Sequence, residues 1–175
     1  PDGSTEFIDF LGNAAEGTNR GVEMDINWFV NDNFNINANA GWLNAEFDEF
    51  INEFGEDLSG RDQAHAPSYT FSLNFNYQQG PWFASVSADG KDNFFFSDRH
   101  SIKSKRYTLY NASLGFESGQ WKVTLWGRNL TDKDYYVRGF GSFGNDPRNF
   151  YVTEPYFQYG EPRVTGVTLQ LTMGG

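Results

Sequence analysis

Aromatic and arginine side chains are concentrated in one stretch of this 175-residue chain, between residues 132 and 162. Aromatic rings stack on sugars and on aromatic chelating groups, and arginine binds anionic groups through paired hydrogen bonds. The stretch is therefore a candidate ligand-binding loop, and its candidate contacts are Tyr135, Tyr136, Arg138, Phe140, Phe143, Arg148, Tyr151, Tyr156 and Tyr159. One alternative stays open, in which these rings pack on one another and on a neighbouring loop.

Catalytic and metal-binding patterns are sparse by comparison. His65 and His100 lie in separate predicted loops, without a second histidine at helical or turn spacing, so we expect ordinary loop histidines and not a zinc site. The acidic stretch 46–57 lacks the glycine-punctuated spacing of a calcium loop, which favours a solvated loop. The sequence therefore predicts no enzyme, no cofactor and no metal site.

The composition favours β-structure with a large polar surface. Aromatic residues make up 18% of the chain, although all hydrophobic residues together reach only 38%, and helix-forming residues are scarce. The net charge of −10 disfavours nucleic acid as a partner. No apolar run approaches the ~18 residues of a transmembrane helix. A mean hydropathy of −0.61 is nevertheless compatible with a membrane β-barrel, whose strands turn only alternate residues towards lipid.

Alternating apolar and polar residues predict seven clear strands and a doubtful one at residues 6–11. Three short turns alternate with three long loops, the turns at 31–33, 78–81 and 117–120 and the loops at 47–66, about 97–105 and 132–162. This order is typical of an up-and-down barrel, with tight turns on one side of the membrane and long loops on the other. The predicted fold is all-β, an antiparallel transmembrane β-barrel of which about seven or eight strands are present.

The stretch from residue 121 to 128 shows the two faces that such a strand needs. Its side chains divide into an apolar set and a polar set, Trp121, Val123 and Leu125 against Lys122, Thr124 and Arg128. We expect the apolar face to meet lipid and the polar face to line a lumen. Aromatic residues near the strand ends fit the ring that barrels place at the membrane interface, namely Trp42, Tyr69, Tyr77, Trp82 and Trp121.

The segment that follows this strand resembles a known family. Residues 129–135, Asn-Leu-Thr-Asp-Lys-Asp-Tyr, are similar to the end of the penultimate strand in TonB-dependent outer-membrane receptors. Residues 19–23, 66–69 and 160–163 resemble other segments of the same family, in the same order. The residues that carry the two C-terminal motifs are Asn129, Leu130, Asp132, Tyr135, Gly160, Glu161, Pro162 and Arg163.

The resemblance implies a barrel of about 22 strands, closed by the receptor's own plug domain and driven by the TonB energy-coupling complex of the inner membrane. It also implies contact with the lipid of a Gram-negative outer membrane and uptake of a small-molecule or glycan ligand, such as siderophore-bound iron, haem, cobalamin or a glycan. On this basis residues 1–175 are expected to form a single C-terminal segment of the barrel, without the plug domain. The ending at residues 171–175 departs from the aromatic ending that is usual in the family.

Two other functions stay open at this point. About eight strands can close into a free-standing barrel, which would serve as an adhesin or an anchor. A soluble β-sandwich that binds carbohydrate would also suit aromatic loops. A requirement for detergent separates the sandwich from the two barrels.

Overall fold

The computed structural model describes residues 15–52, 54–140, 148, 150 and 156–173, which contain nine strands. In chain order the strands are β1 (Ala15–Asn31), β2 (Phe34–Phe50), β3 (Tyr69–Gln79), β4 (Trp82–Lys91), β5 (Tyr107–Ser118), β6 (Trp121–Arg128), β7 (Tyr136–Phe140), β8 (Tyr156–Tyr159) and β9 (Val164–Leu171). Strands β1 to β6 and β9 form one sheet, and β7 and β8 form a separate hairpin. In this part of the chain, no helix is long and apolar enough to cross a membrane.

The large sheet is a meander in which each strand pairs antiparallel with the one before it, in the order β1-β2-β3-β4-β5-β6-β9. Short turns join β1 to β2, β3 to β4 and β5 to β6, as predicted. Gly80 and Gly119 each have a φ of +57° in two of these turns, a left-handed conformation that side chains disfavour. The all-β antiparallel fold with alternating turns and long loops is therefore confirmed.

All three predicted long loops have boundaries that the structure corrects, and one predicted strand lies outside the described residues. Strand β4 ends at Lys91, so the second loop begins before the predicted residue 97. Strand β2 continues into the predicted loop 47–66 because its ladder with β1 extends to the pair Ala15–Phe50. The predicted loop 132–162 contains the β7–β8 hairpin, whose strands are too short to show a clear alternation. The doubtful strand at residues 6–11 falls outside the described residues.

The register collects apolar residues on one face of the large sheet and polar residues on the other. One row across five strands contains Ile26, Ala38, Leu73, Ala88 and Tyr110. The adjacent row, on the opposite face, contains Asn27, Asn37, Asn74, Ser87 and Asn111. Neighbouring strands therefore place similar side chains side by side, which is the unit of sheet stabilisation.

The apolar face is the more exposed of the two. Leu125 of β6 is 53% exposed, and its cross-strand neighbours Leu114 and Val167 are 48% and 65% exposed. Lys122 and Thr124, on the other face of β6, are partly buried. A soluble antiparallel sheet shows the reverse arrangement, with its apolar face on a core. The large sheet is therefore suited to an apolar surrounding, as in a membrane barrel.

The described residues do not form a β-sandwich. A sandwich packs two sheets face to face, whereas the small hairpin packs on Phe96 in the loop after β4 and not on a face of the large sheet. Within the described part, the buried apolar residues lie in the loops or in the extension of β2, namely Ala45, Phe50, Leu58, Phe94 and Phe96. The soluble sandwich is therefore wrong as a fold.

We predict that Leu125→Arg lowers the free energy of unfolding by about 2 to 4 kcal/mol, because it places a charge on the exposed apolar face, which we expect to meet lipid. Urea unfolding of the full-length protein in lipid vesicles, followed by tryptophan fluorescence, measures this change. Thr124→Arg is the matched control, since it alters the next residue on the opposite face, and we expect a loss below about 1 kcal/mol. Equal losses for both variants would indicate that both faces pack against protein.

Candidate functional site

Three long loops lie at the same end of the large sheet: the first long loop (residues 51–68), the second long loop (92–106) and the third long loop (129–163). His65 N donates a hydrogen bond to Phe95 O at 2.9 Å, which joins the first loop to the second. His100 Nε2 lies 3.2 Å from Phe140 O, which joins the second loop to the third. The predicted ligand contacts therefore belong to a layer of connected loops.

Asn129 closes the base of the third long loop. It is 3% exposed and has a φ of +47°, a left-handed conformation that asparagine adopts more readily than most residues. Its Oδ1 accepts from Lys133 N at 2.8 Å, and its Nδ2 donates to the carbonyl oxygens of Lys133 and Glu161 at 3.0 Å each. Its backbone N donates to Asn111 Oδ1 at 3.0 Å. This one residue thus connects β5, the end of β6 and the chain that leads into β9.

Ion pairs join the two ends of the third long loop beside Asn129. Arg128 Nη2 lies 3.1 Å from Glu161 Oε1. Asp132 Oδ1 accepts from Arg163 N at 2.9 Å, and the two side chains also form an ion pair. Pro162 stands between Glu161 and Arg163 and fixes the backbone there. The motif residues therefore meet across the base of the loop.

Tyr135 and Leu130 also make contacts at the base of the third long loop. The ring of Tyr135 covers Gly160 so closely that any side chain at that position would collide with it. Gly160 N donates to Tyr135 O at 2.9 Å, and the rings of Tyr135 and Tyr107 are 4.6 Å apart between centroids. Leu130 N donates to Tyr110 O at 2.8 Å. These contacts hold the loop against the sheet.

The β7–β8 hairpin carries an aromatic cluster. The ring centroid of Tyr136 lies 4.8 Å from those of Phe157 and Tyr159, and the two tyrosine hydroxyls are 3.3 Å apart. Phe96 of the second long loop is 2% exposed and lies 5.0 Å from Phe157. The hydrogen bond with Tyr136 raises the pKa of Tyr159, so this hydroxyl keeps its proton at neutral pH. Tyr136 therefore packs against neighbouring rings, which is the alternative that the sequence left open.

Other predicted contacts lie on the solvent side of the hairpin. Tyr159 is 64% exposed and Tyr156 is 40% exposed. Arg138 is exposed, and its guanidinium carbon lies 4.3 Å from the ring centroid of Phe140. This surface offers rings for stacking and a cation for an anionic group. The other predicted contacts are Arg148, which has an interaction partner, and Phe143 and Tyr151, which lie outside the described residues.

The residues that support the hairpin from the second long loop were not predicted. Phe94 and Phe96 are 3% and 2% exposed, although they precede the loop that the sequence predicts at about 97–105. The available signal was the run of three phenylalanines, because consecutive residues of a strand point to opposite faces and cannot all meet lipid. A run of this kind therefore indicates that the chain leaves the sheet and packs elsewhere.

Arg61 is the main polar link from the first long loop to the second. Its Nη2 donates to Ser97 O and to His100 O, the latter at 3.1 Å. Its guanidinium carbon lies 3.9 Å from the ring centroid of Phe95. Burial lowers the pKa of Arg61, and nearby carboxylates, Asp98 foremost, oppose that shift. The guanidinium remains charged at neutral pH, since the ordinary pKa of arginine lies far above neutrality.

The side chains of His65 and His100 both contact residues of the second or third long loop. The ring of His65 lies 5.4 Å from that of Phe94. His100 Nδ1 accepts from Ile102 N at 3.3 Å, while its Nε2 faces Phe140 O. Across the described ranges, no three His, Cys, Asp or Glu side chains are grouped closely enough to hold a metal ion.

The polar face of the sheet carries a hydrogen-bonded network that reaches the loop base. Asp89 accepts from Ser72 Oγ at 2.7 Å and from Asn111 Nδ2 at 3.0 Å. Asn111 in turn accepts from the backbone N of Asn129. These polar groups are satisfied within the chain, which suits a wall that faces water or a hydrated partner.

Comparison with known proteins assigns this architecture to a family. The family model described as TonB dependent receptor-like, beta-barrel, matches residues 1–130. The chain belongs to the TonB-dependent receptor family. The resemblance first seen in residues 129–135 is thereby confirmed, and the family is one of transport receptors.

Relatives of this receptor chain are considerably longer. The ferric-pyoverdine M114 receptor PbuA of Pseudomonas sp. (strain M114) is 40% identical over 89 residues, a match that covers 48% of this chain and 10% of that receptor. The siderophore receptor PiuA from Acinetobacter baumannii shares the fold with a TM-score of 0.70 at 19% identity, over 90% of this chain and 22% of PiuA. The ferric yersiniabactin uptake receptor FyuA from Yersinia pestis gives 0.73 at 16% identity, over 91% of this chain and 24% of FyuA. The chain therefore spans less than a quarter of each.

We predict that Asn129→Ala lowers the free energy of unfolding of the full-length receptor by about 2 to 4 kcal/mol. The change leaves the partly buried backbone groups of Lys133 and Glu161 without their side-chain partner, and alanine is strained at positive φ. Asn129→Gly removes the same hydrogen bonds without that strain, so we expect it to be about 1 kcal/mol less destabilising. Urea unfolding in lipid vesicles compares the two, and unchanged stability of both would mean that the loop base does not stabilise the barrel.

Proposed function

We propose that the receptor containing this chain imports a ferric siderophore across the outer membrane of a Gram-negative bacterium. The chain supplies part of the barrel wall and part of the ligand-recognising loops. The observation that carries the ligand class is the 40% identity with a ferric-pyoverdine receptor. Haem, cobalamin and glycans, which the resemblance also implied, are the competing ligands that an experiment has to test.

The exposed apolar face supports a place in the outer-membrane bilayer. Lipid offers no hydrogen bonds, so every backbone N–H and C=O in it needs a partner within the protein. Strands β1 and β9 are the edges of the described sheet, and we assign these edges to further strands of a barrel of about 22 strands. Residues 1–175 then form one barrel segment, and the plug domain belongs to another part of the receptor. A free-standing barrel would instead close through an eighth strand.

The polar face supports contact with a plug domain inside such a barrel. The network around Asp89 and the asparagine row hold polar groups in fixed positions. Such a wall can contact a hydrated domain without trapping it in an apolar interface. Energy for import comes, on this proposal, from the TonB complex of the inner membrane through the plug.

The solvent side of the β7–β8 hairpin is the proposed ligand contact. Tyr156 and Tyr159 expose their rings, and Arg138 exposes its cation. A ferric siderophore combines flat chelating groups with anionic charge, which matches stacking and arginine pairing. Tyr136 and Phe140 support this surface as part of the hairpin. Tyr135 supports it from the base of the third long loop, where it packs on Gly160. Phe143, Arg148 and Tyr151 remain proposed contacts on the basis of their residue types.

Uptake of radiolabelled ligands by the full-length receptor tests the function, with labelled iron in the ferric siderophores and haem, labelled cobalt in cobalamin and labelled carbon in the glycans. The host is a Gram-negative strain that lacks its own siderophore receptors, used with and without TonB, and it is offered ferric siderophores, haem, cobalamin and glycans in turn. We expect saturable, TonB-dependent uptake of a ferric siderophore. Uptake confined to one of the other three ligands would contradict the proposed ligand class, and uptake that is independent of TonB would contradict active import.

We predict that Tyr159→Ala raises the KM for ferric siderophore uptake about 3- to 10-fold, because the exposed ring no longer stacks on the ligand. The maximal uptake rate should stay the same, since energy coupling does not involve this residue. Tyr159→Phe keeps the ring and removes the hydroxyl, so we expect a KM within about twofold of the unmodified receptor. A Tyr159→Ala receptor with unchanged KM would exclude this ring from recognition.

A further inference from the structure

We propose that Arg61 is a positioning residue for the β7–β8 hairpin, which it holds in place through the second long loop. Arg61 belongs to the first long loop, whereas the hairpin belongs to the third. The inference rests on the proposed function in one respect only, namely that the hairpin is the ligand contact. Its structural part, the coupling of the three loops, can be measured without any ligand.

Arg61 binds the second long loop through hydrogen bonds and a ring contact. The guanidinium donates to the carbonyl oxygens of Ser97 and His100, three residues apart, and so fixes the backbone between them. It also covers one ring, that of Phe95, at 3.9 Å, and Lys103 Nζ approaches the same ring at 4.0 Å. Hydrogen bonds from a charged donor are among the stronger ones in proteins, and cation–π contacts add to them.

A second side chain of the first long loop strengthens the same junction. Asn52 is 5% exposed and donates through Nδ2 to Asp98 O at 3.2 Å. The ion pair of Lys103 with Asp62, at 3.4 Å, is more exposed and contributes less. The segment 97–100 is therefore held mainly by two buried or half-buried side chains of the first long loop.

The segment 97–100 and the residue before it also contact the hairpin. Phe96 directly precedes it and lies under the hairpin, against the ring of Phe157 and the backbone of Gly139. His100 ends the segment and bonds through Nε2 to the carbonyl oxygen of Phe140 at 3.2 Å. Both ends of the segment gripped by Arg61 thus meet the hairpin, one through a ring and one through a hydrogen bond.

The three consecutive phenylalanines explain how one short segment serves two neighbours. Phe95 turns towards Arg61 in the first long loop, while Phe96 turns towards the hairpin. Phe94 packs edge-on against Phe96, and the ring of His65 also packs against Phe94. A shift of the Phe95 backbone therefore displaces Phe94 and Phe96, because both are bonded to it through the chain.

Hydrogen exchange of the full-length receptor in nanodiscs, without ligand, tests the coupling. In Arg61→Ala, we expect the amides of residues 136–140 and 156–159 to exchange about tenfold faster, since charge-assisted hydrogen bonds are lost. Arg61→Lys keeps the charge but not the planar fork, so partial rescue is expected. Phe54→Ala is the matched control, because this ring is 56% exposed in the same loop, and the hairpin should exchange at its normal rate.

Phe95→Leu provides a second test of the coupling, which also applies if Arg61→Ala fails to fold. Phe95→Leu retains an apolar side chain and removes the ring that Arg61 covers, and hairpin exchange should again rise. Faster exchange confined to the first and second long loops, with the hairpin unchanged in both variants, would overturn the proposal.

Uptake kinetics separate this inference from the proposed function. If both hold, Arg61→Ala raises the KM for ferric siderophore and leaves the maximal rate unchanged, and Arg61→Lys restores part of the affinity. Faster hairpin exchange with an unchanged KM would support the positioning role of Arg61 and would overturn ligand recognition by the hairpin.

Discussion

The outward direction of the apolar side chains is the constraint on which the rest of the structure depends. Leu114, Leu125 and Val167 adjoin across three strands and are all about half exposed or more. A face of this kind is stable when lipid surrounds it, and the opposite face is then free to be polar. Lipid also requires that backbone groups pair within the protein. The meander satisfies this requirement strand by strand, with tight turns at one end and long loops at the other.

Conventional hydrophobic packing is consequently found in the loops. Apolar side chains in the long loops gain from burial in the usual way, by leaving water. Phe94 and Phe96 are 3% and 2% exposed there, whereas the sheet keeps its apolar residues outside. This division explains why the chain combines low overall hydrophobicity with many aromatic residues. Some rings are exposed at the ends of the strands, some form the buried cluster of the loops, and a few on the hairpin face solvent.

The sheet could be predicted because each strand reports its own environment. Residues 121–125 alternate between an apolar and a polar face, so a period of two identifies the strand, its faces and its turns without knowledge of its neighbours. The loop layer could not be predicted in this way. The contact of Arg61 with Ser97 joins residues far apart in sequence, and no periodicity marks it. Tyr136 and Tyr159 have the same residue type, yet one is packed and the other exposed, and only the three-dimensional contacts distinguish them.

The chemistry of Asn129 explains why the motif identifies the family but not the ligand. At its left-handed φ, this side chain has to accept from Lys133 N and donate to Glu161 O at the same time. Asparagine carries both an acceptor and a donor, whereas an aspartate offers no donor and alanine neither. The motif therefore records how the third long loop is closed. Exposed residues such as Tyr159, which we propose as ligand contacts, do not contribute to this closure, so the motif carries no information about them.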